Sequence, residues 1–230
     1  MLLWGEHAIN RQHVSKRTVP NDTMGGDFMN TFKMLLGEWR ILLVLLVVFL
    51  CSFLIGQILF ALNNSTALKL AEKIDRTREG ILRIICHNIY KPFGILRVIL
   101  KIFMINLFGG AFIWSTIGGI FIVMPFLHHM ITGFLTGMVV KRYPERVNWL
   151  TVPNVIFEIG AFMCAAVGGI HIGLSIFSGG NVYLAIVEWW MIFTIVVIPL
   201  QFLAAIFEGF LINRVFVIEK NPWPYGISPE

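Results

Sequence analysis

Apolar residues fall into long uninterrupted blocks, and these blocks decide which helices the sequence predicts. The blocks occupy residues 41–62, 98–140, 152–177 and 182–213. A helix needs about 20 apolar residues to cross a bilayer core, so three of the blocks each predict one span. The block at 98–140 would be about 65 Å long as one helix, roughly twice the thickness of the core. It must therefore contain two spans.

Glycine and proline residues mark where the block at 98–140 can divide. The division falls near Gly118 and Gly119 or just before Pro125, because these residue types interrupt helices. We place the two spans near 98–117 and 119–140.

Small residues identify the faces on which the predicted spans pack. On the helix at 152–177 they recur at every fourth position: Ala161, Ala165, Gly169 and Gly173. Gly133 and Gly137 form a similar pair on the helix at 119–140. Lipid tails give helices no hydrophobic reason to associate, so faces that allow close backbone approach are the packed ones. The helix at 152–177 is therefore expected to be central.

One carboxylate, Glu158, shares this small-residue face, seven residues before Ala165. A carboxylate facing hydrocarbon is strongly disfavoured, so Glu158 should have an internal partner. Asn106, Asn154 or a backbone amide near the start of the helix could donate to it. The sequence does not rank these donors.

Residues 63–93 are too polar to cross a membrane, yet 66–91 keeps helical apolar spacing. Apolar residues recur on one side of a helix: Leu70, Ile74, Ile81, Ile85 and Ile89. Basic residues supply the other side: Lys69, Lys73, Arg76, Arg78 and Arg83. The segment is therefore an amphipathic helix, which either lies on the membrane surface or packs over the other spans.

Composition supports a membrane protein. The chain is 57% hydrophobic and only 13% charged, whereas soluble domains carry about a quarter charged residues. The predicted fold class is all-α: a polytopic membrane helix bundle of about five transmembrane helices plus an amphipathic surface helix. A polar N-terminal segment (1–40) precedes the bundle (41–213), and a polar tail (214–230) follows it. Residues 1–40 show no cleavable signal pattern, so the first span should direct insertion.

Basic charge suggests an orientation without deciding it. The segments that follow the first, third and fifth spans hold twelve Lys and Arg, against five in residues 1–40. The positive-inside rule thus favours an external N-terminus and a cytoplasmic C-terminus. No basic face with interleaved aromatic residues occurs, so nucleic acid is not an expected partner.

Chemistry-bearing residues are few. Adjacent residues on a helix point about 100° apart, so His128 and His129 do not readily share an ion. A metal site that adds His171 or Glu158 is the less favoured alternative. No nucleophile with a base and no phosphate-binding loop is visible, and neither a catalytic site nor a metal or cofactor is expected.

Several motifs carry a family resemblance across residues 105–210. They are Asn106-Leu107 at the start of a span, Gly118-Gly119, the run VPNVIFEI at 152–159, and Phe207-Glu208-Gly209-Phe210 near the end of the last span. In these motifs the chain resembles the stage II sporulation protein M family. The resemblance implies a non-enzymatic polytopic protein with polar positions at Asn106, Glu158 and Glu208. In spore-forming bacteria the family member acts in an envelope-remodelling complex with peptidoglycan-degrading partners. Family members are usually drawn with the first loop outside, opposite to the charge count.

Three functions remain open from the sequence. The favoured one is a scaffold in the cell membrane that recruits other membrane proteins or a second copy of itself and contacts membrane lipids. The alternative is a transport component in which Glu158, Asn106 and His171 line a polar path. An intramembrane enzyme is the least favoured, because the His and Glu residues form no recognisable catalytic arrangement.

Overall fold

Long helices make up most of the chain that the structure, a computed structural model, describes: residues 33, 35–86, 89–144 and 149–214. Most of the predicted N-terminal segment, and the tail beyond residue 214, lie outside the described residues. We label the long helices α1 Trp39–Ala61, α2 Ser65–Cys86, α3 Gly94–Ile120, α4 Met124–Arg142, α5 Thr151–Phe177 and α6 Val182–Asn213. No β-strand occurs in these ranges, which confirms the all-α fold class.

Four helices, α1, α3, α5 and α6, are long and apolar enough to cross a membrane. The remaining predicted span, α4, has 19 residues and is less apolar, because it contains a proline, two histidines and a terminal Lys-Arg pair. Its length of about 28 Å still matches the bilayer core.

Glycine contacts give the direction of each helix. A side chain at Gly133 of α4 would meet Phe49 of α1, and one at Gly137 would meet Phe53. One turn further along α4 the contact moves one turn further along α1, so the two helices run parallel. On α5, Gly169 meets Thr116 and Gly173 meets Ile120, so α3 and α5 also run parallel.

Helix α6 returns antiparallel to α5 and α3. Glu158 of α5 lies against Gln201 and Gly168 against Trp189, so the residue numbers on the two helices run in opposite directions. On α3, Ile99 lies against Gly209 and Phe103 against Phe202, which gives the same result. Because α3 and α5 run in the same direction, the end of α3 and the start of α5 lie at opposite ends of the bundle. Helix α4 must therefore cross the whole bundle to connect them. The directions alternate through α1, α3, α4, α5 and α6, as five crossings require.

The break in the block at 98–140 lies at Phe121–Val123, directly before α4, which begins with Pro125 in its first turn. Gly118 and Gly119 stay helical, so the second predicted span extends to residue 120 and the third begins at 124. The reason is packing, since a side chain on Gly119 would meet the Gly169 backbone at 2.8 Å. Here glycine serves close helix contact, and Ile122 takes the left-handed turn conformation with φ 58°.

Helix α5 is the centre of the bundle. In its most apolar stretch 61% of the residues are buried, compared with 22–33% in α1, α3 and α6. From Ala161 to Ile170 every residue except Cys164 is buried. Ten successive residues point in all directions around a helix, so α5 is covered on all sides.

Two spans contain π-helical segments, Ile105–Ile117 in α3 and Phe193–Val197 in α6. The Thr116 hydroxyl donates to the Ala111 carbonyl five residues earlier at 3.0 Å, which matches the wider turn. The segment in α6 ends just before Pro199, which has no N–H to donate. The segments meet through Phe112 and Phe193, whose rings lie edge-on at 6.1 Å.

The amphipathic helix α2 lies at the end of the bundle where α1 stops and α3 starts. The Asn64 side chain caps it, accepting from the Thr66 and Ala67 amides at 3.1 Å each. Ala67, Ala71, Ile85 and Cys86 form its buried stripe.

The α1–α4 contact yields a stability test. We expect Gly137→Ala to lower the unfolding free energy by about 1–3 kcal/mol, because the added methyl group overlaps the Phe53 carbonyl. Gly160→Ala is the matched control, since nothing lies within 4 Å of a methyl group there. Unfolding of both variants in mild detergent measures the difference. Equal midpoints would contradict the backbone contact.

Candidate functional site

Polar residues from α3, α5 and α6 lie at one level of the bundle. Gly110 of α3 faces Phe162 of α5, and the same offset of 52 residues places Asn106 level with Glu158. From α6, the Gln201 side-chain amide donates to the Glu158 backbone carbonyl at 3.4 Å. Asn154 lies one turn before Glu158. We call Asn106, Asn154, Glu158 and Gln201 the polar layer.

Burial makes the amide groups of the polar layer costly. Gln201 is fully buried and Asn154 is 9% exposed, whereas Asn106 and Glu158 are half-buried. Within the described part of the chain, Gln201 Oε1 and Asn154 Oδ1 have no hydrogen-bond donor. A buried acceptor without a donor costs about 1–3 kcal/mol. The layer therefore offers two carbonyl oxygens beside a carboxylate-bearing turn.

Two of the three predicted polar positions lie at the same level of the bundle by this offset between α3 and α5. Asn106 and Glu158 share the polar layer, and Glu208 does not. Glu208 is half-buried seven residues beyond Gln201, about 10 Å further along α6. It lies near Cys86, at the end of the bundle that carries α2.

The predicted packing residues lie at helix contacts. Ala161 and Ala165 are fully buried beside the polar layer. Gly169 and Gly173 face the backbone of α3, while Gly133 and Gly137 face the backbone of α1. The contacts at Gly169 and Gly173 fix the spacing of α3 and α5, which carry polar-layer residues, and those at Gly133 and Gly137 fix the spacing of α1 and α4.

Cys86 is a further titratable group at the end of the bundle that carries α2. Burial raises the pKa of the Cys86 thiol to about 11, Lys101 opposes the rise, and Glu208 adds to it. The thiol is therefore protonated, and a poor nucleophile, at neutral pH.

A second polar cluster lies at the opposite end of the bundle. His171 Nε2 of α5 lies 3.1 Å from a carboxylate oxygen of Glu188 in α6. Its Nδ1 lies 4.0 Å from Glu38, directly before α1. All three side chains are 21–25% exposed. The cluster links three helices at their membrane boundary.

Sequence reasoning considered His171 only as an added metal ligand or as part of a transport path, and it missed this cluster. A signal was present: His171 and Glu188 are equally distant from the centre of the tight turn at 178–181. In an antiparallel helix hairpin such residues lie opposite each other. Glu38 could not be found this way, because its position depends on how α1 packs.

His128 and His129 occupy α4 close to α3. His129 Nδ1 lies 2.7 Å from the Pro125 carbonyl and donates to it, and His128 lies 3.5 Å from the Ser115 hydroxyl. Trp114 stacks over the His128 ring at 6.1 Å. Among the described residues, no group of three or more His, Cys, Asp or Glu is arranged to hold a metal ion.

Comparison with known proteins adds one finding. The family model described as Stage II sporulation protein M matches residues 45–211, nearly three quarters of the chain. The matched range contains the whole polar layer. No curated protein and no solved structure matches the chain.

The His171–Glu188 pair can be measured with a double-mutant cycle. We expect His171→Gln and Glu188→Gln to be non-additive by about 0.2–1 kcal/mol, because the pair is only partly buried. Unfolding in mild detergent gives the four stabilities. As a control, Glu188→Gln with His128→Gln should be additive. Additive effects for both pairs would show that the imidazole and carboxylate do not interact.

Proposed function

Because the chain belongs to the stage II sporulation protein M family, we propose that it is a non-enzymatic integral membrane scaffold that recruits partner proteins. Its partners would be other membrane proteins or a second copy of the chain, and its role would lie in envelope remodelling. The cell membrane is the proposed location. The family match itself establishes a multi-pass membrane protein.

Close backbone packing around α5 is the observation that carries the proposal. Gly169 and Gly173 rest against the α3 backbone, and the run from Ala161 to Ile170 is almost wholly buried. Helices in such contact leave little width between them for a solute. A rigid bundle of this kind suits a protein that presents surfaces to others.

The surface of α1 supports recruitment within the membrane. Only 22% of its most apolar stretch is buried. Its tight contact is with α4, on the side that carries Gly56. The remaining circumference is apolar, with Val47 49% and Leu54 54% exposed. This surface can accept a helix of another protein in place of lipid.

One observation favours the alternative, a transport component. Gln201 Oε1 and Asn154 Oδ1, at the level of Glu158, have no donor among the residues that the structure describes. Intramembrane polar groups without internal partners often mark a path for ions or polar solutes. We keep this function as the second candidate.

Co-purification tests the scaffold. The tagged chain is cross-linked in membranes, purified in mild detergent, and its companions are identified by mass spectrometry. We expect a stoichiometric protein partner or a second copy. Val47→Trp with Leu54→Trp should reduce recovery of that partner several-fold without lowering thermal stability, whereas Ile131→Trp, on the exposed side of α4, should not. Recovery of the chain alone from cross-linked membranes would contradict the proposal.

Substitutions at Glu158 separate the two functions. On the scaffold proposal Glu158→Gln is tolerated, because glutamine retains an acceptor and adds donors. Glu158→Leu should lower the unfolding free energy by about 1–3 kcal/mol, because its partners lose their hydrogen bonds in a dry environment. Thermal stability and cellular function are measured together. Loss of function in a stable Glu158→Gln protein would favour transport, and equal stability of wild type and Glu158→Leu would exclude a structural role.

A further inference from the structure

An apolar groove lies on the outside of the bundle, where the last turn of α2 meets the first half of α3. Its volume is about 340 Å³, and it is lined by Ile84, Leu100, Lys101, Met104 and Ile105. The apolar lining residues are 46–68% exposed, so the groove opens outward. Since α3 is a membrane span, this side of it faces lipid.

The depth of the groove matches an acyl chain. Helix α3 starts at Gly94, so Leu100 lies about 9 Å and Ile105 about 16 Å below that start. The groove thus runs from the headgroup boundary into the hydrocarbon.

A cation lies at the headgroup end of this groove. The Lys101 ammonium donates to the Ile84 carbonyl at 2.7 Å, with the Ile85 carbonyl at 3.5 Å. These carbonyls belong to the last turn of α2, where no amide of the same helix can reach them. They carry no formal charge, and an ammonium has a third N–H available for a further acceptor.

A second cation, Arg97, precedes Lys101 by one helical turn and is exposed on the same face of α3. The surrounding segment 63–101 contains eight Lys and Arg against three Asp and Glu. Glu208 of α6 acts on the same Cys86 as Lys101 and supplies one opposing charge. The net charge at this end of the bundle is therefore positive.

The outer side of α2 continues the same boundary. Leu70, Ile81 and Ile84 are exposed between its buried stripe and the basic residues Lys69 and Lys73. An amphipathic helix with this arrangement places its apolar flank in the acyl region and its basic side among headgroups.

We propose that this groove binds one acyl chain of an anionic phospholipid, whose phosphate is held by Lys101 and Arg97. The apolar lining binds the acyl chain of the lipid, and the two cations select for the negative headgroup. A zwitterionic lipid fills the groove equally well but gains less from the cations, because its own ammonium or choline group opposes them. The site lies outside the polar layer and does not depend on the proposed scaffold function.

The test is lipid retention by the purified full chain, measured by native mass spectrometry in mild detergent. The probes are phosphatidylglycerol and phosphatidylcholine with identical acyl chains, and inorganic phosphate alone. We expect one phosphatidylglycerol to be retained in preference to phosphatidylcholine. Each cation near a membrane surface contributes enough that Arg97→Gln with Lys101→Gln should reduce this preference by about fivefold per charge removed.

Two further variants separate a built site from general attraction. Ile105→Trp fills the groove without changing charge, and we expect it to reduce phosphatidylglycerol retention several-fold while the thermal stability of the protein is unchanged. Lys69→Gln with Lys73→Gln removes two exposed charges from the other end of α2, and retention should remain as in wild type.

Four results would overturn the site. Equal retention of the two lipids would show that the cations do not select the headgroup. An equal loss in the Lys69 and Lys73 control would show general attraction to the basic surface. Retention unchanged by Ile105→Trp, or inorganic phosphate displacing all bound lipid, would show that the groove holds no acyl chain.

Discussion

Backbone contact at small residues is the constraint on which the bundle depends. Inside a bilayer the hydrophobic effect does not draw helices together, so dispersion contacts and polar bonds must do so. Dispersion weakens steeply with distance, and glycine allows the closest approach of two helix axes. The α3–α5 contact uses Gly119, Gly169 and Gly173, and the α1–α4 contact uses Gly56, Gly133 and Gly137. Both contacts join parallel helices that are not neighbours in sequence. These contacts therefore determine how the helices are arranged, and the short connecting segments only join their ends.

The same close packing gives the polar layer its character. Where α3, α5 and α6 meet, the alanines at 161 and 165 bring the helices near enough to exclude water from Gln201. The Gln201 amide then finds an acceptor on the Glu158 backbone, and its own oxygen is left without a donor among the described residues. A bundle held together only for stability would gain from leucine at this position. An amide retained at that cost either fixes the register of α6 on α5 or serves a solute, and these roles correspond to the two candidate functions.

Much of the fold follows from the sequence because run length and small-residue spacing are local signals. They predicted the spans, the amphipathic helix and the faces of α4 and α5. The break before α4 was harder, because Gly118-Gly119 has the same composition whether it ends a helix or packs one. The π-helical segments have no sequence signal beyond Pro199. At the site, Glu158 and Asn106 were identified as polar positions, yet Gln201 was not considered. Its role depends on facing Glu158, and only the packing of α6 against α5 determines that.

Helix α4 shows how packing can offset low hydropathy. Its two histidines and one proline lower its apolar character, yet it must cross because α3 and α5 run parallel on either side of it in sequence. The histidine side chains bond partly within the protein: His129 Nδ1 donates to the Pro125 carbonyl, and His128 lies beside the Ser115 hydroxyl. The His129 ring thus adds a side-chain hydrogen bond to a carbonyl in the first turn of α4. The buried Nε2 of His129 has no hydrogen-bond partner among the described residues. A polar side chain whose donor is used internally costs a span much less than its transfer free energy suggests. Hydropathy scores whole residues, whereas the cost in a membrane depends on the polar atoms that stay without a hydrogen bond, of which α4 keeps the buried His129 Nε2.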